Sequence, residues 1–503
     1  MQTLPYSRLP GMNALFLDYL DGNEKAKPFY PSRERARSID VPHRDALCDI
    51  LRKQNERFAN PHAPRLLEKL ARNQTCCAIT GQQVGLLTGP LYTIWKALTT
   101  LKYAHTFEEQ RGIPCVPIFW MATEDHNWHE VMNFSLLRED RSLVSFSLKE
   151  HLFLKKQPTG SIPVGHEEVR KILLRAFREI RAPEVQEFYA TGTLTDGFAR
   201  TLLRVLRDFP LLIVDPSDPE LKRLAAPFFA RVMDRKDELL QLLARQNELL
   251  RSCNYPEQVR MEEGMLPLFR IENGERQHVP NTDSAREIPV EQLSPSALLR
   301  PLFQDFLFPT IGYTGGPAEI AYFAQLRPWY QALEIEQPWV LPRASVTLIP
   351  PATASFLNSR NLQPDEMFLK EDTLVDALIN HSEIVLMRQG LKAIQTDALS
   401  GLERVKQAAQ NIDPSLKKMM ETSERKIRYQ MEKMHRKAFL AIKHKDQVLL
   451  EHIRKAKNVI YPEDKLQERT INILSFASLL PDLFQDVYRS ISLESPSHLW
   501  LKI

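Results

Sequence analysis

The sequence predicts an α/β protein with a parallel-sheet core, insertions into that core, and a C-terminal antiparallel α-helical coiled coil. The core is predicted because a strand-like apolar run ends at glycines before a helical pattern, and this order occurs twice along the chain. The coiled coil is predicted because the C-terminal third instead spaces its apolar residues by three and four. A chain of 503 residues has the length of two or three domains.

The first strand–helix–strand unit begins with the apolar, β-branched run Thr75 to Thr80, which is typical of a buried strand. A glycine-rich loop follows, and helical periodicity then runs from Leu91 to Glu109. Pro90 takes the first helical position, where its missing N–H has no cost. Val116 to Ala122 is the next predicted strand. A strand, a crossover helix and a second strand favour a parallel sheet.

Later segments repeat this pattern. Leu211 to Val214 is a predicted strand, and Phe306 to Ile311 is another, followed by paired glycines, a proline and a helix over 318–326. Val340 to Arg343 and Ser345 to Ile349 complete the predicted sheet.

Two regions, near 136–190 and 255–290, break the alternation and are predicted to be insertions into the core. The predicted domain boundaries follow from this. A Rossmann-like core with insertions occupies 1–385, a coiled-coil arm occupies 386–460, and a helical segment over 461–503 packs on the core.

The coiled coil is predicted from two long apolar stripes, Ile394 to Ile412 and Leu416 to Ala441. Asp413 and Pro414 join them as a helix cap and a proline at the first helical position. Two long helices around so tight a turn form an antiparallel arm. Polar residues such as Gln430 interrupt the stripe, so we expect the surface of a partner to complete it.

Charge is concentrated on this arm. The chain as a whole has a formal net charge of +3, yet residues 414–458 carry thirteen Lys and Arg against five Asp and Glu. A basic helix can hold phosphates or nucleic acid, but most such faces are solvated or meet another subunit. Only Tyr429 and Phe439 interleave these charges, so the arm lacks a stacking platform, and nucleic acid is not the expected partner.

Composition favours a cytoplasmic protein. The N-terminus lacks a secretory pattern, and no run of about 18 apolar residues occurs, so no membrane segment is expected. The five cysteines are odd in number and lack CxxC spacing, which is typical of reduced thiols and excludes a disulfide framework. Adjacent Cys76 and Cys77 are interpreted as small core residues.

The loop after the first strand is the strongest candidate binding site. Its candidate residues are Gly81, Gln82, Gln83, Gly85, Thr88 and Gly89. A loop that leaves a strand and opens a helix offers backbone N–H groups and the helix dipole to an anion. The spacing matches neither a dinucleotide fingerprint nor a phosphate-binding P-loop. The alternative is a glycine-rich turn that serves sheet geometry alone.

Glu124, Asp125 and His126 follow the second predicted strand and are the candidate catalytic residues. In a parallel sheet they fall at the same carboxyl edge as the first loop, where carboxylates and an imidazole can act as acid, base or amine anchor. His126, His129 and Glu130 are an alternative set of metal ligands. No further ligand is recognisable by spacing, so no metal is predicted.

A third group surrounds the second glycine pair. Its candidate substrate-binding residues are Gln304, Asp305, Gly315, Gly316, Glu319 and Arg343. Glu319 falls in the first turn of a predicted helix, where its charge either stabilises the helix dipole or holds a substrate ammonium. Arg343 ends a predicted strand and is a candidate clamp for a carboxylate or phosphate.

Nine short segments, taken together and in order, carry a family resemblance. They are Gly81-Gln82-Gln83, Gly85-Leu86-Leu87-Thr88-Gly89-Pro90, Phe119-Trp120, Glu124-Asp125-His126, Arg300-Pro301, Gln304-Asp305, Gly315-Gly316-Pro317 with Glu319, Pro342-Arg343, and Pro462 with Leu466-Gln467-Glu468-Arg469. With these the sequence resembles the bacillithiol biosynthesis cysteine-adding enzymes, the BshC family of cysteine ligases. The resemblance implies a Rossmann-like core related to class I aminoacyl-tRNA synthetases, connecting-peptide insertions, and dimerisation through the coiled coil.

The implied reaction joins the carboxyl of cysteine to the amine of glucosaminyl-malate, the last step of bacillithiol biosynthesis. No cofactor is fixed by the sequence, although the family is associated with ATP or ADP near the coiled coil. Asn127 and His129 depart from the family's usual acidic motif, which leaves another amino-sugar acceptor open. The alternative function is a synthetase-like protein that binds tRNA or a nucleotide without ligase activity.

Overall fold

The fold is taken from a computed structural model of the chain. It describes all residues except 1, 32–40, 42, 128–130, 132, 148–155, 181, 262–263, 379–381, 414–415, 446 and 481. The strands are β1 (Gln2–Leu4), β2 (Cys76–Gln82), β3 (Cys115–Met121), β4 (Asn133–Leu137), β5 (Leu143–Ser147), β6 (Leu212–Val214), β7 (Leu268–Glu272), β8 (Glu275–His278), β9 (Leu293–Pro295), β10 (Thr310–Gly315), β11 (Trp339–Pro342), β12 (Ser345–Ile349) and β13 (His498–Lys502).

Helices fill most of the remaining described chain. They are α1 (Ala14–Leu20), α2 (Arg44–Arg57), α3 (Ala63–Leu70), α4 (Tyr92–Arg111), α5 (Glu167–Phe177), α6 (Pro183–Phe188), α7 (Leu194–Val205), α8 (Pro219–Leu224), α9 (Ala226–Asp234), α10 (Lys236–Ser252), α11 (Thr282–Glu287), α12 (Arg300–Leu307), α13 (Pro317–Ala332), α14 (Pro351–Ser359), α15 (Glu371–Leu378), α16 (Ser382–Ile412), α17 (Leu416–Lys445), α18 (Gln447–Ile460) and α19 (Asp482–Ser490). None of these described helices is long and apolar enough to span a membrane.

Five parallel strands form the central sheet, in the order β11-β10-β2-β3-β6. The chain runs outward from β2 through β3 to β6, and then crosses back to β10 and β11 on the other side. This reversal makes the sheet doubly wound, and the Rossmann-like parallel core predicted from the sequence is confirmed. In such sheets, ligands bind outside the carboxyl ends of the strands, at the point where the order reverses. Here that point lies between β2 and β10.

The middle of the sheet is apolar because both of its faces are covered. Every residue of β3 is buried, as a strand covered on two faces requires. The crossover helix α4 contacts β2 and β3 and buries Ile94, Leu98 and Leu101 completely. Cys76 and Cys77 are fully buried in β2, as predicted for small core residues.

Two strand predictions are wrong. The run Phe306 to Ile311 is split: α12 ends at Leu307, and β10 begins at Thr310. The intervening Pro309 lacks an N–H and disfavours helical conformation in the residue before it, so the apolar run ends one element and starts another. Ser345–Ile349 is a strand but lies outside the central sheet, because β12 pairs with β13 in a separate sheet, β1-β13-β12.

The two predicted insertions hold small antiparallel elements outside the central sheet. Between β3 and β6 lies the β4–β5 hairpin, with α5 and α6. Between β6 and β10 lies the three-stranded sheet β8-β7-β9. Both segments add walls at the carboxyl edge without interrupting the parallel order.

Contacts divide the chain into two compact units, 1–349 with 462–503, and 350–461. In the second unit α16 and α17, of 31 and 30 residues, pack against each other as an antiparallel pair. The predicted coiled coil is thereby confirmed, while Pro414, predicted at the first helical position, lies outside the described residues. The segment predicted to be helical after 461 ends instead in strand β13, which lies between β1 and β12 and pairs with both.

Candidate active site at the switch point

A cleft of ≈ 1010 Å³ opens where the strand order reverses. Segments that follow all five central strands reach it, as do the β4–β5 hairpin and the β7–β9 sheet. Its charged lining residues are Lys96, Glu124, Asp125, Arg276, Arg300, Glu319, Arg343, Glu463, Lys465 and Arg469. The predicted residues Gly81, Gln82, Gln83 and Gly316 also line it.

Three backbone amides of the loop after β2, which was predicted to offer its amides to an anion, are engaged by the protein itself. The N–H groups of Gly85 and Gly89 donate within the loop, to Gln83 O and Leu86 O, and the N–H of Leu87 donates to the hydroxyl of Tyr189. Gly85, Thr88 and Gly89 do not line the cleft.

The buried side chain of Asn472 secures the same loop by donating to the carbonyls of Leu87 and Gly89, at 2.6 Å each. Leu87 and Thr88 both have positive φ, and Gly89 has φ +68°. The loop is therefore a turn held both by hydrogen bonds within it and by Asn472 and Tyr189, and its two glutamines line the cleft.

Gln83 and Asp125 form the centre of the cleft. The side-chain amide of Gln83 donates to Oδ2 of Asp125, while Oδ1 accepts from the backbone N–H of Asn127 at 3.1 Å. The other side-chain atom of Gln83, Oε1, is buried and has no partner among the described residues. Two donors hold the Asp125 carboxylate in one orientation, half-buried at the edge of the sheet.

Glu124, the neighbour of Asp125, is held in an ion pair. It is 6% exposed, and its Oε1 contacts the ammonium of Lys222, which is itself 1% exposed and also donates to Glu291 O. Glu124 lines the cleft as one half of a buried pair.

His126 lies beside Arg276 from strand β8, with 3.1 Å between Nδ1 of the ring and Nη1 of the guanidinium. A guanidinium only donates, so Nδ1 accepts, and the neutral ring carries its proton on Nε2. Burial and then the charge of Arg276 lower the pKa of His126. Held in this way, the imidazole can donate a hydrogen bond but has no free nitrogen to accept a proton.

Glu319 is fully engaged by protein groups. Its Oε2 accepts from the ammonium of Lys96 at 2.5 Å and from the N–H of Gly316 at 2.8 Å, and its Oε1 accepts from the hydroxyl of Tyr313. Burial raises the pKa of Glu319, but Lys96 and the Gly316 N–H outweigh burial and lower it overall. The carboxylate caps α13 and neutralises Lys96, so a substrate ammonium would have to displace one of these partners.

Gln304 and Asp305 lie behind the cleft wall and do not line it. The amide oxygen of Gln304 accepts from Arg300, and its amide nitrogen donates to Asp305. Asp305 also accepts from the hydroxyl of Tyr330, and burial raises its pKa to about 6. The structure brings Arg300 to the cleft in their place.

Arg343 lines the cleft, as predicted, although its guanidinium is already paired. Nη2 lies 2.7 Å from Oε1 of Glu468, and the two side chains are 5% and 1% exposed. The guanidinium also lies over the ring of Tyr92. Gly315 ends β10 beneath this contact and contributes geometry, since a Cβ there would meet Glu319 at 3.0 Å.

Sequence reasoning missed Lys96, Arg276 and Arg300 as cleft residues. Lys96 had a signal, because a lysine on the buried face of an apolar helix needs a partner. Arg300 lies in a family-like motif but was given no role, and Arg276 lies in an insertion with no local pattern. Among the described residues, no group of His, Cys, Asp and Glu is placed to hold a metal. The alternative ligands His129 and Glu130 lie outside those residues.

Fold and cleft together define a Rossmann-like α/β protein with a charged ligand cleft at the switch point of its sheet. The chain belongs to the bacillithiol biosynthesis BshC family: residues 1–344 match its N-terminal Rossmann-like domain, and residues 346–503 match its C-terminal coiled-coil domain. The resemblance drawn from the motifs is thereby confirmed.

Curated relatives agree along nearly the whole chain. A protein of Solibacter usitatus is 35% identical over 98% of both chains, and one of Koribacter versatilis is 30% identical over 94% of both. A protein of Bacillus cytotoxicus is 26% identical over 81% of this chain and 80% of its own. Each of the three is named "Putative cysteine ligase BshC".

Proposed function

We propose that this protein is a cysteine ligase that joins the carboxyl of cysteine to the amine of glucosaminyl-malate, the last step of bacillithiol biosynthesis. Membership in the family and the names of the relatives support the ligase class. The observation that carries the proposal is the Asp125 carboxylate, oriented by Gln83 inside a cleft large enough for an amino sugar and an amino acid.

Asp125 is the proposed general base. The acceptor amine attacks the carbonyl carbon of activated cysteine, the new C–N bond forms, the activating group leaves, and Asp125 takes one proton from the amine. His126 does not line the cleft and its Nδ1 accepts from Arg276, so we propose that it orients the Arg276 guanidinium and does not act as the base. Glu124, held by Lys222, is proposed to position the segment that carries Asp125.

A free carboxylate does not form an amide without activation. We propose that cysteine reaches the reaction in activated form, with either ATP or a carrier as the activating group. No residue described above is assigned to it.

The protein is further proposed to act in the cytoplasm as a homodimer through α16 and α17. The arm exposes large apolar side chains, with Ile394 54%, Val405 52% and Met434 48% exposed. A coiled-coil stripe left open in one chain is what a second copy would cover.

Two measurements test the reaction. Low-molecular-weight thiols are profiled in cells lacking the gene, where loss of a cysteinyl amino-sugar thiol and accumulation of its amine precursor are expected. The same cells are then complemented with wild type, with Asp125→Asn, and with Asp237→Asn as a matched control, since Asp237 is exposed on α10 outside the cleft.

Wild type and Asp237→Asn are expected to restore the thiol, whereas Asp125→Asn is expected to leave less than about 1% of the rate, as loss of a general base typically costs 10²–10⁴-fold. Full complementation by Asp125→Asn would refute its role as base. An unchanged thiol profile in the deletion strain would refute the reaction.

A further inference from the structure

Two guanidiniums, of buried Arg276 and partly buried Arg300, line the cleft without an ion-pair partner among the described residues. Arg276 is 7% exposed, and its hydrogen-bonding partners are the ring of His126, the hydroxyl of Ser294 and the carbonyl of Pro295. Arg300 contacts the side-chain oxygen of Gln304 and two tyrosine hydroxyls. All of these partners are neutral.

Such an arrangement is unusual for buried charge, because arginines that are removed from water are normally paired with an anion. The other buried cations of the same cleft follow the rule: Lys96 contacts Glu319, and Arg343 contacts Glu468. Burial lowers the pKa of Arg276, and the nearby charges of Asp125 and Glu124 oppose this without forming an ion pair.

The two guanidiniums belong to one continuous surface. Arg276 donates to the hydroxyl of Ser294 and to the carbonyl of Pro295. Residues 296–297 continue the lining, and the chain then enters α12 with Arg300 at its first position. We call Arg276, residues 294–297 and Arg300 the arginine wall. Two polar hydroxyl residues, Ser294 and Ser296, lie between the two cationic ends.

We propose that the arginine wall binds the two carboxylates of the acceptor's malyl group, an inference that rests on the proposed function. Arg276 keeps one free N–H on each of Nη1 and Nη2 for a bidentate pair with one carboxylate. Arg300 keeps its Nε–H and one Nη1–H to donate to a second carboxylate, so the two guanidiniums together match a dicarboxylate. Cysteine offers a single carboxylate, which must stay free for activation and attack. The malyl group is therefore the part of the substrate whose two negative charges match the two positive charges of the wall.

Calorimetric titration of the full chain tests the assignment with four probes: glucosaminyl-malate, L-malate, methyl glucosaminide and inorganic phosphate. The variants are Arg276→Met and Arg300→Met, with Arg270→Met as control, because Arg270 lies on the neighbouring strand β7 and is ion-paired with Glu272 outside the cleft. Each wall variant is expected to weaken glucosaminyl-malate binding by about 10- to 100-fold, as loss of a charge-assisted contact does. Binding of methyl glucosaminide, which lacks the malyl group, should not change.

Arg276→Lys and Arg300→Lys are conservative variants that keep the test valid if the methionine variants do not fold. They keep the charge but not the fork, so they should recover part of the affinity, and melting temperatures establish that each variant is folded. Unchanged glucosaminyl-malate affinity in folded wall variants would overturn the inference and leave the ligase proposal standing. The inference would also be overturned if the wall variants lost only the binding of inorganic phosphate, because the wall would then be a phosphate site. If wild type binds no glucosaminyl-malate, the proposed function fails, and the malyl assignment fails with it.

Discussion

The buried cations around the cleft differ between two regions. At the edge formed by β2, β10 and β11, Lys96 is ion-paired with Glu319 and Arg343 with Glu468. Along the arginine wall, the hydrogen-bonding partners of Arg276 and Arg300 are neutral oxygen and nitrogen atoms. Both regions line the same cleft, yet within the described part of the chain the cations of the arginine wall have no ion-pair partner.

The difference separates two uses of a buried charge. An ion pair such as Arg343–Glu468 fixes the geometry between distant segments, since its members are 125 residues apart in sequence. A guanidinium with neutral partners is fixed in direction but keeps its charge for a ligand. The paired edge should therefore respond to mutation through stability, and the arginine wall through binding.

The largest effect is expected from breaking a buried pair. Glu468→Gln leaves the guanidinium of Arg343 without a carboxylate and weakens the contact that Oε2 makes with the N–H of Val346. We expect the free energy of unfolding to fall by about 3–5 kcal/mol, as when one partner of a buried pair is removed. Urea denaturation of the full chain measures it.

The double variant Arg343→Met with Glu468→Gln provides the control. It removes both charges and should recover much of the lost stability, because no charge is left stranded. Equal destabilisation by the single and double variants would contradict the paired description of this edge.

A second effect concerns pH and His498, which lies beside the same pair. Its Nδ1 lies 2.7 Å from the hydroxyl of Ser345, and burial lowers its pKa to about 4. The unfolded chain takes up this proton near pH 6.5, so the contribution of His498 is complete above that pH and is lost as pH falls toward 4. The loss amounts to about 3 kcal/mol.

Buried Asp305 titrates with the opposite sign. Because burial raises its pKa to about 6, the folded state binds that proton more tightly than the unfolded state does. Asp305 therefore raises the free energy of unfolding as pH falls from 6 toward 4. The readout is therefore the difference between wild type and His498→Gln in denaturation midpoint from pH 7 to pH 4.5. Parallel curves for the two proteins would show that His498 does not titrate as described.

How far the sequence predicts this fold depends on whether a feature is local. The strand, loop and helix around Gly81 follow from a β-branched run, glycines and Pro90, and the structure has all of them. The parallel direction of the strands also follows, since helical crossovers make parallel neighbours. The sheet to which β12 belongs cannot be predicted in this way, because its partner β13 lies about 150 residues further along the chain.

The site divides in the same way. Glu124 and Asp125 were found because they directly follow a strand, whereas the contact of Arg276 with His126 joins residues 150 apart. The hydrogen bonds that occupy the loop after β2 could not be predicted from the sequence either. No sequence pattern shows that Asn472 and Tyr189 secure the loop after β2, which is why its amides were expected to hold an anion.

A smaller effect is expected from Tyr313, which joins the two regions. Its hydroxyl donates to Glu319 on the paired edge and accepts from Arg300 on the arginine wall at 3.2 Å. Tyr313→Phe should lower the free energy of unfolding by about 2 kcal/mol, the cost of losing hydrogen bonds to charged groups. It should also loosen Arg300 and weaken glucosaminyl-malate binding. A stability loss without a change in affinity would show that the two regions are independent.

The smallest change in stability is expected where charge is removed from the arginine wall itself. Arg300→Met deletes three hydrogen bonds to neutral groups but also deletes a desolvated charge that no carboxylate contacts directly among the described residues, so the two effects offset each other. We expect the ligand-free protein to change its free energy of unfolding by no more than about 1 kcal/mol in urea denaturation. A loss comparable to that of Glu468→Gln would place Arg300 with the structural cations. A small loss of stability together with weakened acceptor binding would show that Arg300 serves substrate binding and not the stability of the fold.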